Sequence, residues 1–324
     1  MNLNERGNNI FSLLKATYQE WNEDEPFRQS AVIAYYSIFS LPALLIIIVN
    51  VVGLVLGEEA VQGNISTQIS DLVGAEAAQQ VEEMIANVSQ QGNNVIGIII
   101  GIGTLLFGAT GVFYQLQQSL NQVWEVELKP NTGYAKLAID RATSLGVILA
   151  IGFLLLVSLI LTAGLTALGG WIERQLPDFM LYLFQIINLL VSFGVITLLF
   201  ALIYKVLPDV KISWHAVWIG AAVTALLFTI GKSAIGFYFG KSNPASAFGA
   251  AGSIILILLW VNYSALIFLF GAEFTQVYAR RYGERIEPNS YARRTASFRL
   301  KQQEQRERDR EDAEKDAQAS ASGE

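Results

Sequence analysis

Six windows of this 324-residue chain run for about 20 residues or more without an acidic or basic side chain, and at about 1.5 Å per helical residue each can cross the roughly 30 Å of bilayer hydrocarbon. They lie between Arg28 and Glu58, Glu83 and Glu125, Arg141 and Glu173, Asp178 and Lys205, Lys211 and Lys232, and Lys241 and Glu273. The expected fold class is therefore all-α: a polytopic membrane protein with six transmembrane helices, over about 30–57, 93–118, 142–168, 180–205, 213–239 and 248–278, plus an amphipathic outer helical segment.

Composition supports the same reading. A chain that is 52% hydrophobic and 15% charged, with a mean hydropathy of +0.40, holds more apolar side chain than a soluble core of this size requires. Cysteine is absent, which excludes disulfides, iron–sulfur clusters and thiolate metal sites. The first residues, with Glu5, Arg6, Lys15 and acids from Glu23 to Glu25, lack the basic region and small-residue cleavage site of a signal peptide. Insertion is expected to begin with the first helix, which stays in the mature protein.

Lys and Arg are retained on the cytoplasmic side of a bacterial membrane, whereas Asp and Glu carry little weight. With the N-terminus inside, nineteen of the 22 basic residues fall in cytoplasmic segments, and the outer segments hold Arg174 and Lys241. The expected topology is multi-pass, with both termini cytoplasmic. This arrangement divides the chain into a cytoplasmic N-terminal segment (1–27), a six-helix domain (28–282) and a charged cytoplasmic tail (283–324). The tail, ending in KQQEQRERDREDAEKDAQASASGE, has too little apolar surface to form a core and reads as disordered or as a solvated helix, or as a docking tail for a soluble partner. The outer segment, residues 58–92, repeats apolar residues at three- and four-residue steps on either side of Gly74, with an acidic opposite face. It reads as a cap on the bundle or as a lid that concentrates cations.

Inside the spans, small residues mark where helix backbones approach, because lipid gives helices no hydrophobic reason to associate. Gly97, Gly101, Gly108 and Gly111 line the second helix, and Gly249 and Gly252 open the sixth. They fit packing within the chain, dimerisation or a flexible gate. Pro42 predicts a kink in the first helix. Glu273, near the inner end of helix six, is the ionisable group most costly to bury. Its expected partners are Arg28 at the start of helix one and Lys205 at the end of helix four. Such a pair either ties helices together or marks a proton- or cation-coupled site. Trp124, Trp171, Trp214 and Trp218 lie near helix ends and read as interfacial anchors, and His215 as an interfacial residue.

Four blocks then carry a resemblance: RQSAVIAYYSIFSLPALL (28–45), GATGVFYQLQQSLNQVWEV (108–126), IYKVLPDVKISW (203–214) and FGAAGSIILILLWVNYSALIFLFGAEFTQVYA (248–279). In this order the chain resembles the YihY/BrkB family of bacterial inner-membrane proteins. The resemblance implies six helices with cytoplasmic ends. It also places Tyr35, Pro42, Asn121, Trp124, Tyr204, Asp209, Gly249, Trp260, Gly271 and Glu273 at motif positions. A ribonuclease label attached to the family is not inherited here. A metal-dependent nuclease needs clustered carboxylates or histidines and a basic surface for phosphates, and the sequence offers neither.

The resulting expectation is a non-enzymic protein without cofactor or metal, whose partners are membrane lipids and a small solute, ion or lipid rather than nucleic acid, and which can form a homo-oligomer. It would act as a transporter or lipid-handling protein, or alternatively as a membrane scaffold for envelope proteins.

Overall fold

The computed structural model describes residues 3–38, 111–130, 146, 178–242, 252–283 and 286–321. The outer segment, the third span apart from residue 146, most of the first two, Pro42, Gly97, Gly101, Gly108, Gly249 and Trp171 lie outside the described residues.

The elements in chain order are α1 (Leu3–Glu23), α2 (26–38), α3 (111–123), β1 (Val126–Leu128), α4 (Asp178–Val206), β2 (Val210–Lys211), α5 (Trp214–Ser242), α6 (Gly252–Arg281), β3 (Glu287–Pro288), β4 (Ala292–Arg294) and α7 (Ala296–Ala321). Among the described residues three helices contain stretches long and apolar enough to cross a membrane: Leu189–Val206, Trp214–Tyr238 and Ile254–Arg281. They fall on the last three spans read from the sequence. Short capping contacts set several boundaries. The Ser213 hydroxyl accepts the Ala216 N–H at the start of α5, and the Thr295 hydroxyl accepts the Phe298 N–H at the start of α7.

The α5–α6 seam shows how the bundle is held. Thr224 and Thr275 each return their hydroxyl to a carbonyl one turn back, Gly220 and Gly271 respectively, both at 2.7 Å. Each threonine lies against the glycine of the other helix, so a methyl group at Gly220 would collide with Thr275, and one at Gly271 with Thr224. This reciprocal fit is the close backbone approach that small residues permit in lipid. Tyr204 of α4 closes the seam by donating to the Phe268 carbonyl at 2.7 Å, with its oxygen 3.1 Å from the Thr224 hydroxyl. Gly111 likewise faces the Tyr36 ring across α2 and α3, Gly252 opens α6 in a buried position, and Gly194 and Gly236 have open space around them.

Two corrections concern the ends of the chain. The tail is not wholly a solvated extension. Residues 126–128 pair antiparallel with 292–294, and 210–211 with 287–288, so two short ribbons join the tail to the ends of α3 and α4. Arg294 makes this possible despite the polar composition. It donates to the carbonyls of Trp124 (2.8 Å) and Ile286 (2.7 Å) and stacks over the Phe298 ring at 4.4 Å. Beyond this anchor α7 is a charged helix, one of the states the sequence leaves open for the tail. The second correction is Trp124, which is fully buried in the core under the β1–β4 ribbon rather than anchored at the interface. Trp214 and Trp218 remain exposed at the start of α5. At the other terminus α1 packs on α6 through Leu13, Phe274 and Val277.

Replacing Gly220 or Gly271 with alanine should lower stability by about 1–3 kcal/mol through overpacking of the seam. Gly236 has open space around its α-carbon, so Gly236→Ala should be neutral. Thermal unfolding of the purified variants in detergent tests the contrast.

Candidate functional site

Where α1 meets α2 the chain reads Glu23-Asp24-Glu25-Pro26, and this corner lies against the C-terminal part of α6 at Glu273. Glu25 adopts φ 52°, in the left-handed region, and ends α1, while its carbonyl receives the first N–H groups of α2 from Arg28 and Gln29. Glu125, following α3, also has φ 52°. Two non-glycine residues in this region, one at each corner of the same cluster, mark a place where surrounding contacts outweigh local preference.

Glu273 is 2% exposed and shares a side-chain hydrogen bond with Asp24. Two carboxyls can form that bond only when one of them carries a proton. Asp24 is held in place from two sides: its backbone carbonyl accepts from the amides of Gln29 at 2.5 Å and Gln122 at 3.2 Å. Burial pushes the Asp24 carboxyl above its ordinary range, with hydrogen bonds from Glu273 and Gln122 and the charge of Lys301 opposing. Burial likewise raises Glu125, against the attraction of Lys301 and Arg280. Glu20, on the last turns of α1, meets Arg280 at 3.3 Å and Lys301 at 3.9 Å.

Most of the buried side-chain polar atoms that lack a hydrogen-bond partner among the described residues belong to this corner: Trp21 Nε1, Gln29 Oε1, Trp124 Nε1, Glu125 Oε2 and Glu273 Oε1. Such atoms are costly and uncommon, and their concentration is a functional signal. Among the described residues no group of three or more histidines or carboxylates could hold a metal ion. The chemistry available is proton exchange between carboxyls and electrostatic attraction of cations.

The structure separates the site residues expected from the sequence. Glu273 does not pair with Arg28 or Lys205. Arg28 points outward and binds Glu25 at 2.6 Å, and Lys205 turns away from the bundle to the Ile212 carbonyl and the Trp214 ring. Long basic side chains reach toward water when a short excursion allows it, which leaves Glu273 to a second acid. Asp209 belongs to a different assembly. It is 3% exposed and exchanges two 2.8 Å hydrogen bonds with Asn121, with Gln117 at 3.4 Å, and so staples α3 to the α4–α5 connection. Asn262 bridges α6 to Ser30 of α2 at 3.0 Å. Sequence reading missed Asp24, Glu125 and Lys301 as site residues. All three fall in segments that look like solvated cytoplasmic connections.

Asp24 and Glu125 bind their protons more tightly in the folded protein than in the unfolded chain. Below the unfolded carboxylate range, about pH 4, both states are neutral and burial carries no charge penalty. As pH rises through that range toward the raised folded values, the penalty builds and stability is lost. Asp24→Asn should flatten this dependence while an amide keeps the contact with Glu273. The measurement is the unfolding midpoint against pH for wild type and variant.

The Virulence factor BrkB family matches residues 17–296. Among relatives, the chain is 25% identical over 276 residues to a UPF0761 membrane protein of Saccharophagus degradans, covering 82% of this chain and 59% of that one. A UPF0761 membrane protein of Verminephrobacter eiseniae is 26% identical over 67% of this chain and 49% of its own length. The putative ribonuclease-like protein YfkH of Bacillus subtilis is 26% identical over 83% of this chain and 96% of its own. The chain thus spans about half to three fifths of the first two relatives and nearly all of the third. No solved structure matches. With the match extending from the end of α1 through all three apolar helices to the tail ribbon, the chain belongs to the BrkB family of membrane proteins.

Proposed function

We propose that this protein is a transporter or lipid-handling protein of the bacterial inner membrane, driven through the Asp24–Glu273 carboxyl pair. The carrying observation is Glu273 itself: a carboxyl at the end of a membrane helix, almost fully buried, with one oxygen unpartnered and the other side of the interaction supplied by a second acid. Ionisable groups kept at such a cost in membrane proteins mark ion and proton paths. A pair that shares one proton when the corner is closed would release it when α1 and α2 move away from α6. The groups facing it are Glu20 and Gln122, with Arg280 and Lys301 close enough to act by charge.

Six spans with both ends in the cytoplasm remain part of this reading. In support, the segments that the basic residues assign to the inside meet one another: α1, the ends of α3 and α4, and the tail are joined by the two ribbons and by Lys301. The substrate class is a small solute, ion or lipid, and the action is non-enzymic. The ribonuclease-like name of the Bacillus subtilis relative is not carried over to this reading. The polar helix α7 favours a second reading, a scaffold for soluble or envelope proteins.

Flux of labelled solutes or lipids into proteoliposomes under an imposed pH gradient tests the proposal. Glu273→Gln, which retains a hydrogen-bonding group without an exchangeable charge, should abolish gradient-driven flux while the protein inserts and folds. Equal flux in that variant would remove Glu273 from the mechanism, and no flux from wild type would favour the scaffold.

A further inference from the structure

Three kinds of surface run along α1. Toward the bundle it buries Leu13 and Thr17 and half-buries Ala16 and Trp21. At about 100° per residue, the next face holds Ile10, Leu14, Tyr18 and Phe11 within an arc of about 100°. All four side chains are exposed, Phe11 to 72%. The face beyond is polar and exposed, with Ser12, Lys15, Gln19 and Asn22. A helix resting on a bundle in water needs the first and third of these surfaces. The second is the contiguous apolar patch that marks a contact with a membrane or a partner.

The path of α1 decides between these occupants. Ser12 accepts a 2.9 Å hydrogen bond from Arg281, and Leu13 packs with Phe274 and Val277. Farther along, Trp21 meets the Phe270 ring edge-on with centroids 5.9 Å apart, and Asp24 reaches Glu273. The two ends of this stretch, about 17 Å apart along α1, thus fall on the same three turns of α6, so α1 crosses that helix steeply. The next helix, α2, follows α6 instead: Ser30 is already at Asn262, about three turns before Glu273.

A helix that crosses a membrane span lies near the plane of the bilayer. The level is set by α5, whose Ile219 and Val223 pack on the Leu13 cluster within about three turns of the first residue of that helix. At the same end Trp214, Trp218 and Tyr282 stand exposed, and aromatic rings of this kind settle at the headgroup level. Lys15, next to Phe11 around the helix, is exposed and has a stem that can follow apolar surface while its ammonium stays in water. The stripe therefore continues the lipid-facing flank of the spans.

We propose that α1 lies in the headgroup–acyl boundary of the bilayer beside the start of α5 and the end of α6, with Ile10, Phe11, Leu14 and Tyr18 among lipid and Gln19 and Asn22 in water. The partner is the lipid surface itself, contacted by a segment that its sequence assigns to the aqueous side. This goes beyond the transport reading and does not depend on it.

Because the chain has no cysteine, single substitutions can carry a fluorophore at chosen positions. Phe11→Cys, Leu14→Cys and Gln19→Cys, all at exposed positions that leave the core intact, are labelled with a nitrobenzoxadiazole dye. Each full-length protein is placed at one copy per phosphatidylcholine nanodisc. Lipid brominated near the headgroup end of its acyl chains should lower emission at positions 11 and 14 at least about twofold, as a helix sunk about 5–10 Å into this boundary requires. Aqueous iodide should quench position 19 and spare the other two. Equal quenching of positions 11 and 19 by iodide would put the stripe in water and overturn the proposal. Shielding of positions 11 and 14 from both quenchers would overturn it as well, by showing protein over the stripe. None of these signals reports flux, so failure here and failure of the transport reading are separately visible.

Discussion

A carboxyl carried on a membrane helix must be hydrated, paired with a cation or protonated, and the corner where α1 and α2 meet the C-terminal end of α6 is organised around how Glu273 meets that requirement. The two basic residues expected from the sequence to pair with it, Arg28 and Lys205, are drawn away to Glu25 and to the Ile212 carbonyl. The group left to meet Glu273 is Asp24, and two acids can share a bond only by sharing a proton. Placing Asp24 there fixes where α1 ends and how α2 departs, and recruits Gln29 and Gln122 to hold the corner. Helix termini, a left-handed glutamate and a pair of amides thus follow from the burial of one acid.

The apolar part of the bundle obeys a separate logic. Along α5 and α6 the glycines and threonines alternate so that each helix offers a groove where the other offers a hydroxyl. Each threonine satisfies its own polar group on its own helix and presents only a methyl and a bonded oxygen to its neighbour. The seam is close-packed without an interhelical hydrogen bond at its centre, and Tyr204 supplies one at its edge. A rigid pair of this kind gives the carboxyl corner a fixed wall.

Much of this was legible in the sequence, and the parts that were not share a cause. The uncharged windows gave 180–205, 213–239 and 248–278, against helices at Asp178–Val206, Trp214–Ser242 and Gly252–Arg281. Helical periodicity and the cost of charge in lipid act within one segment, so local pattern is sufficient. Glu273 stood out for the same reason. Its partner did not, because Asp24 comes from the far end of the chain and sits in an acidic run that reads as solvated. The ribbons were equally hidden: a strand of two or three residues such as 126–128 has no detectable period, and its pairing with 292–294 depends on Arg294 finding two carbonyls. Trp124 was misplaced because an indole near a helix end looks the same from sequence whether the interface or a folded-back tail covers it.

The β1–β4 ribbon has a consequence for biogenesis. Its second strand and Lys301 are translated only after the last apolar helix has left the ribosome, yet they cover a corner whose other side, α1 and the end of α3, was made long before. Until then Glu20, Glu23 and Glu125 stand uncapped. Closure of this corner is therefore a late, long-range event that follows membrane integration. A nascent chain halted before residue 292 would carry its helices without the ribbon that seals them.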